Sequence, residues 1–457
     1  MQVDRATLRD LSILEPGEDG SSLFALLDRT RTRLGSRALR ARMRSLPVGA
    51  ELQRTQDAIR HLATSLGSAH SAVESVDPDA VDDYLSLKWQ ALTKRSRTGR
   101  LLERVMLRLG FRDAVRQISR GVGSLHILLE GLERIVDSIT PGPAVLEEYA
   151  GKLCELANAG LLPDVRRYAK ARSLSDILNA DHLARGHVRD SIREVLTILS
   201  ELDALCGLAS ATVEHRWCFP DILDAEGVMD ISGLRHAFLP GGVANDIHVD
   251  GQRRVLAVTG PNMAGKSTLL KAAGVAVYLT QLGCGVPASR ARISRFDSLL
   301  ASFYVRDSLS NGQSFYLNEV RRIRDLTALL ESTPRVFALL DEPFKGTNVH
   351  DATEATALLL DGLCAQVAST IIVATHLSAV VRSRLHDECL VTAYLGASES
   401  PSGLAFDYQL RAGVSDQRLG MALLEREGVA PALAAAVERR ARRFGAPANP
   451  NQNSRGA

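Results

Sequence analysis

Aromatic side chains are scarce. Phe, Trp and Tyr make up 5% of the 457 residues, against 45% hydrophobic residues overall. Any core is therefore aliphatic and rich in Ala, which leans towards helix. Net charge is also nearly absent, at +2. No global field drives the chain onto nucleic acid or membrane, so any basic surface must be local. The six cysteines, Cys154, Cys206, Cys218, Cys284, Cys364 and Cys389, are scattered, and none forms C-x-x-C. That pattern excludes a zinc ribbon and reads as a reduced, cytosolic protein rather than a disulfide framework. The opening Met1-Gln-Val-Asp-Arg-Ala-Thr lacks a signal-peptide core. No run approaches the ~18 apolar residues of a membrane span. The expectation is a cytoplasmic chain without membrane contact, long enough for roughly three domains.

One stretch is loud. The apolar run Val255-Leu-Ala-Val-Thr259 ends in Gly260, Pro261, Asn262, Met263, Ala264, Gly265, Lys266, Ser267 and Thr268. This is G-x-x-x-x-G-K-[ST] between a strand-like and a helix-like pattern, the context the motif requires. Glycines let backbone N–H groups wrap a polyphosphate. The following helix adds the positive end of its dipole. Lys266 can reach the β- and γ-phosphates, and the Ser267 hydroxyl can hold Mg²⁺.

Residues 1–215 read as helical and carry no defensible catalytic cluster. Leu23 to Leu46 is strongly basic, with Arg29, Arg31, Arg33, Arg37, Arg40, Arg42 and Arg44. It is either a phosphate-contacting helix or a solvated face, the commoner origin of a charge run. Lys94 to Arg100 poses the same choice. Ser65 to Asp83 is acidic and mixes loop with short helix. Thr140-Pro-Gly-Pro143 breaks a helical pattern that begins near Leu101. Ile192, Val195, Leu199, Leu202, Cys206 and Ala209 step at heptad-like spacing. They predict a long helix over about 188–209, either a lever or a core helix. Turn signals from Trp217 to Asp250 mark short strands, with a domain boundary near 215.

The second half continues the chemistry in order. Leu309-Ser-Asn-Gly-Gln-Ser314 precedes a helical pattern and offers donors to an anion. Val336-Phe-Ala-Leu-Leu-Asp341-Glu342 reads as a buried parallel strand with two carboxylates at its C-terminal end, where α/β sheets place ligands. Asp341 is placed to hold Mg²⁺, and Glu342 to orient or deprotonate a water. Thr370-Ile-Ile-Val-Ala-Thr375 is a further buried strand ending in His376, which faces the same crevice. Leu404 to Leu410 alternates like a half-buried strand. Asp416 to Glu427 and Pro431 to Phe444 read as helices, and the tail from Gly445 as disordered.

This order resembles an ABC-type ATPase. The wording of Thr259 to Thr268, Leu340-Asp-Glu-Pro-Phe-Lys-Gly-Thr-Asn348, Ala374-Thr-His-Leu377, Gly285-Val-Pro-Ala288 and Asp307 to Val320 resembles the MutS family of DNA mismatch-repair ATPases. Ser22 to Ser36 resembles the opening of that family's core domain, and Glu201 to Leu205 the end of its lever. The resemblance implies an α + α/β protein. Residues 1–215 would be an all-helical core and lever, and 216–443 an ABC-type ATPase domain with a mixed, mainly parallel sheet and a C-terminal dimerisation element. A tail would occupy 444–457. It implies ATP and Mg²⁺ as cofactors and a homodimer in which Ser314 acts on the partner's nucleotide. Asn262 matches a nucleotide-contacting position, and Asn245 and Tyr408 fall where the family contacts adenine.

The departures concern the target. The family's mismatch readers begin with a domain carrying a Phe-x-Glu wedge, and no Phe-x-Glu occurs in this sequence. The core is short, so a DNA clamp is expected to be reduced or missing. Ala264 replaces the usual Gly, Phe315 the usual Thr and Lys345 the usual Arg. Two readings stay open: ATP-coupled DNA binding in repair or recombination without a wedge, or an ATP-switched clamp on a protein or ribosome partner.

Overall fold

The computed structural model describes residues 1–17, 20–65, 67–87, 112–171, 173–303, 315–366, 368–400, 403–415 and 424–444. Helices dominate to residue 214, and strands with interleaved helices follow. Eleven strands form two sheets among these residues. They are β1 (Gln2–Val3), β2 (Asp221–Leu223), β3 (Met229–Leu234), β4 (Asn245–Val249), β5 (Val255–Thr259), β6 (Arg290–Ser294), β7 (Ser298–Ser302), β8 (Val336–Asp341), β9 (Thr370–Thr375), β10 (Leu390–Ser400) and β11 (Gly403–Ala412).

The larger sheet runs β1-β7-β8-β9-β5-β10-β11, parallel except for the β10–β11 pair. Strands β5 and β9 are buried at every residue, and β8 at all but its last. Continuous apolar runs are what a parallel strand covered on both faces requires. The mixed, mainly parallel sheet is as the sequence implied. The smaller sheet runs β2-β6-β3-β4.

The Arg189–Glu214 helix carries the expected seam, with Ile192, Val195, Leu199, Leu202, Cys206 and Ala209 all buried. It runs past the predicted end because Ala211 and Thr212 are buried as well. Its length and its mean hydropathy of 1.4 over 18 residues match a membrane span, contrary to the expectation that no run would, but 78% of that window is buried in the fold.

Three expectations need correction. Residues 1–215 are not all helical, because β1 pairs in parallel with β7 and joins the larger sheet. Thr7 Oγ1 accepts from Ala301 N at 2.8 Å, and Asp10 from Phe303 N at 3.1 Å. One hydrophobic cluster also runs from Leu11 and Ile13 through Leu205 to Leu339 and Leu395, across the expected boundary near 215. Second, Cys364 and Cys389 form a disulfide, so the cysteines are not all free. They lie 25 residues apart. The end of the Val349–Cys364 helix meets the residue before β10, which no spacing rule reveals.

Third, the basic helix is not an open phosphate-binding face. Arg29 pairs with Glu214, Arg31 with Glu74, Arg33 with Asp79 and Asp83, Arg37 with Asp82 and Arg42 with Glu201. Arg40 lies over the Phe24 ring. The acidic run meets the basic run. The Lys94–Arg100 cluster, the Leu309–Ser314 segment, most of Asp416–Glu427 and the tail after Phe444 lie outside the described residues.

Candidate functional site at the carboxyl ends of the strands

Strand register gathers the site. Thr259 pairs with Thr375, and Asp341 with Ala374, so β5, β9 and β8 end side by side. The Gly260–Thr268 loop, Glu342 and His376 therefore converge from three segments well separated in sequence. A cavity of about 1240 Å³ opens there, lined by Asn262, Met263, Gly265 to Thr268, Asp341, Glu342, Asn245 and Tyr408 among others.

The loop depends on its glycines. Gly260 has φ of +142°, and a Cβ there would stand 2.2 Å from Leu395 O. Gly265 has φ of +95° and caps the Lys266–Leu282 helix without a side-chain hydrogen bond. That helix start leaves backbone donors for an anion. Met263 is 75% exposed and held at φ +73°, whereas Ala264 is fully buried. Pro261 and Asn262 each supply an oxygen to Lys266: the Nζ lies 2.9 Å from Gly260 O, 3.1 Å from Pro261 O and 3.5 Å from Asn262 Oδ1.

Polar side chains link across the cavity floor. Ser267 Oγ donates to Asp341 Oδ2 at 2.5 Å. Lys266 Nζ lies 3.2 Å from Glu342 Oε1, and His376 Nδ1 lies 3.4 Å from Glu342 Oε2. That last contact is too poorly aligned to satisfy the oxygen: Glu342 Oε2 and Asp341 Oδ1 are both buried without a hydrogen bond. Glu342 is held at φ +50° and Phe344 at +64°, strained backbone of the kind that collects at functional sites. The Glu342 N–H is fixed by Ala374 O at 2.8 Å.

The neighbouring carboxyls are pushed in opposite directions. Contact with His376, and then the Lys266 charge, lowers the Glu342 pKa to about 2 against the opposing effect of burial. Burial raises the Asp341 pKa, the Glu342 charge adds to the rise, and the Ser267 hydroxyl partly offsets it. Diverging environments for adjacent acids are what separates their roles.

The oxygens of Ser267 and Asp341 fit a hard divalent cation. Asp341 Oδ1, buried and unpartnered, is the position such an ion would satisfy. No cluster of three His, Cys, Asp or Glu ligands occurs among the described residues. Mg²⁺ is commonly held by one or two protein oxygens, with phosphate and water completing its shell.

The base-side expectations fare differently. Tyr408 lines the cavity, and its ring packs 3.1 Å from where a Gly265 Cβ would stand. Asn245 also lines it, but its amide is committed: Nδ2 donates to Tyr408 O at 3.0 Å and Oδ1 accepts from Leu410 N at 2.7 Å. It anchors β11 rather than offering its amide to a base. Thr268 is in the wall, and Ser314 lies outside the described residues.

Sequence reasoning missed Glu319, a buried wall residue that accepts from Gly346 N at 3.0 Å and has its pKa raised by burial. An acid in a helical pattern gives no signal of its own. It also missed His236, Leu239 and Pro240, which the β3–β4 connection brings to the wall.

Fold and site define an α/β protein whose polar residues gather at the carboxyl edge of a mainly parallel sheet, behind a largely helical half. Residues 256–443 match the model of MutS domain V. Over that segment the chain is similar to the MutS family. It is 28% identical over 354 residues to the DNA mismatch repair protein MutS of Shouchella clausii, covering 69% of this chain and 40% of that one. It is 31% identical over 252 residues to MutS of Erythrobacter litoralis, covering 53% and 28% respectively. Against MutS 1 of Halobacterium salinarum it is 30% identical over 241 residues, covering 52% and 27%. The chain thus spans less than half the length of these relatives.

Proposed function

We propose that the chain is a Mg²⁺-dependent ATPase of the ABC type, working as a cytoplasmic homodimer and coupling ATP binding and hydrolysis to DNA in repair or recombination. The observation that carries this reading is the linked set Ser267–Asp341 and Lys266–Glu342–His376 beneath a glycine-rich turn. The relatives named as DNA mismatch repair proteins support the DNA part.

In this reading the loop amides and Lys266 bind the phosphates, and Asn262 and Tyr408 contact the nucleotide. Ser267 and Asp341 hold Mg²⁺, which withdraws charge from the phosphates when bound. Lys266 leaves Glu342 for the phosphates. Losing that charge lets the Glu342 pKa climb from about 2, which makes the carboxylate a better proton acceptor. His376 fixes the Glu342 carboxylate and the water. Ser314 completes the site of a second copy.

Neutralisation of the Arg29–Arg44 run by acidic partners favours one alternative, an ATP-switched clamp on a protein or ribosome. An ATPase assay with linear, mismatched and branched DNA at rising salt separates the two. Stimulation that fades steeply with salt supports the DNA reading. Activity indifferent to all three DNAs supports the clamp. Lys266→Ala is expected to abolish ATP binding in either case; retained affinity would sink the nucleotide site itself.

A further inference from the structure

We propose that the chain carries a second ligand site, for a phosphate ester bearing a planar base, between the end of the Arg189–Glu214 helix and the β3–β4 connection. A separate cavity of about 760 Å³ lies there, within the range of small-molecule pockets. Its wall holds Arg216, Arg235, His215, His236 and Trp217 and, among the described residues, no Asp or Glu. Arg29 also lines it but is paired with Glu214. Arg235 donates to Gly242 O, which positions its guanidinium without neutralising it. Neither Arg216 nor Arg235 forms an ion pair with a described carboxylate. Two uncompensated guanidinium groups in a concave wall attract an anion, and a phosphate matches their planar fork.

The second half of the ligand follows from the rings. Trp217 is half-buried and stacks on His215 with centroids 5.1 Å apart and planes at 30°. An indole in a cavity wall is a platform for a base. The backbone is built to present it. Arg216 sits at φ +55°, uncommon for a residue with a side chain, and is held there by Arg216 N to Val213 O and Trp217 N to Thr212 O, both at 3.0 Å. The strained residue places the free guanidinium and the stacking ring side by side. His236, Leu239 and Pro240 line this cavity and the larger one alike, so an occupant of either presses on a shared wall. The inference stands apart from the proposed ATPase reading.

The same chemistry is presented by a free nucleotide or by a single-stranded oligonucleotide. The test is fluorescence titration of the full chain carrying Trp89→Phe, which leaves Trp217 as the sole indole, with AMP and with an eight-residue oligothymidylate as probes. A saturable change with AMP identifies a free nucleotide, and one with the oligonucleotide alone identifies a strand; either supports the site. Arg216→Glu, at an exposed position, is expected to weaken the response roughly tenfold or more. Arg216→Gln gives a smaller loss, and Lys266→Ala leaves it unchanged. No saturable change with either probe overturns the proposal. So does an unaltered response in Arg216→Glu, with circular dichroism confirming its fold, or a response abolished by Lys266→Ala.

Discussion

Two pairs of carboxylates divide this molecule. In the helical half Asp203 is fully buried and accepts from Arg31 N at 3.0 Å, Thr32 N at 2.9 Å, Thr32 Oγ1 at 2.6 Å and His70 Nε2 at 3.0 Å. Asp181 is as buried and accepts from Tyr84 OH at 2.9 Å and from Arg185 at 2.6 and 2.7 Å. Both acids are completed by the fold. At the sheet edge Asp341 and Glu342 each keep a buried oxygen without a hydrogen bond. Native folds rarely leave such atoms unsatisfied. The difference separates a carboxylate that holds helices together from one that, in the proposed reading, serves a bound ligand.

The largest expected effect lies in the helical half. Asp203→Ala strands an imidazole and two backbone donors in the core, and should cost roughly 3–5 kcal/mol in urea unfolding. A loss below about 1 kcal/mol would erase the contrast. Reducing Cys364–Cys389, or changing Cys364→Ser, should cost roughly 3 kcal/mol by loop-closure entropy. Cys389 precedes Leu390, which pairs with the first residue of β5, so the disulfide sits at the end of the sheet away from the site. Nucleotide affinity should therefore survive reduction; a matching loss of affinity would show that the two ends are coupled.

At the sheet edge the sign reverses. The Asp341 pKa lies above its unfolded value of 3.8. Its contribution to stability is present below that value and lost as pH rises through the folded pKa. At neutral pH the ionised group is a net cost. Asp341→Asn should raise the ligand-free Tm near pH 7, with the gain shrinking as pH falls through the folded pKa and gone below 3.8. A lower Tm would make Asp341 another Asp203. Smallest is Arg33→Ala combined with Arg37→Ala. Their exposed pairs with Asp79, Asp83 and Asp82 should contribute almost nothing to Tm. Any duplex affinity should be unchanged as well. A marked fall in affinity would restore this helix as a nucleic-acid surface.

What could be read in advance follows the same division. Val255 to Thr259, Val336 to Asp341 and Thr370 to Thr375 were legible as strands because buried parallel strands are continuous apolar runs, and their ends carry polar residues in chain order. The long helix was legible from its heptad spacing. Long-range pairing was not. Gln2–Val3 is too short and too polar to announce a strand, and takes its place only because Ser298 and Leu299 offer a free edge. Cys364 and Cys389 meet through tertiary packing. The Arg run looked solvent-facing until the helices at Ser68–Ser75 and Pro78–Leu85 brought it Glu74, Asp79, Asp82 and Asp83. Asn245 gave no hint that strand β11 would take both ends of its amide.

Turnover by Glu342→Gln at saturating Mg²⁺ and ATP tests the account most directly. The substitution keeps the shape and removes the charge held between Lys266 and His376. ATP binding should persist while turnover falls by about 100-fold or more. Turnover equal to that of the unaltered chain would contradict the claim that this incomplete carboxylate is kept for chemistry.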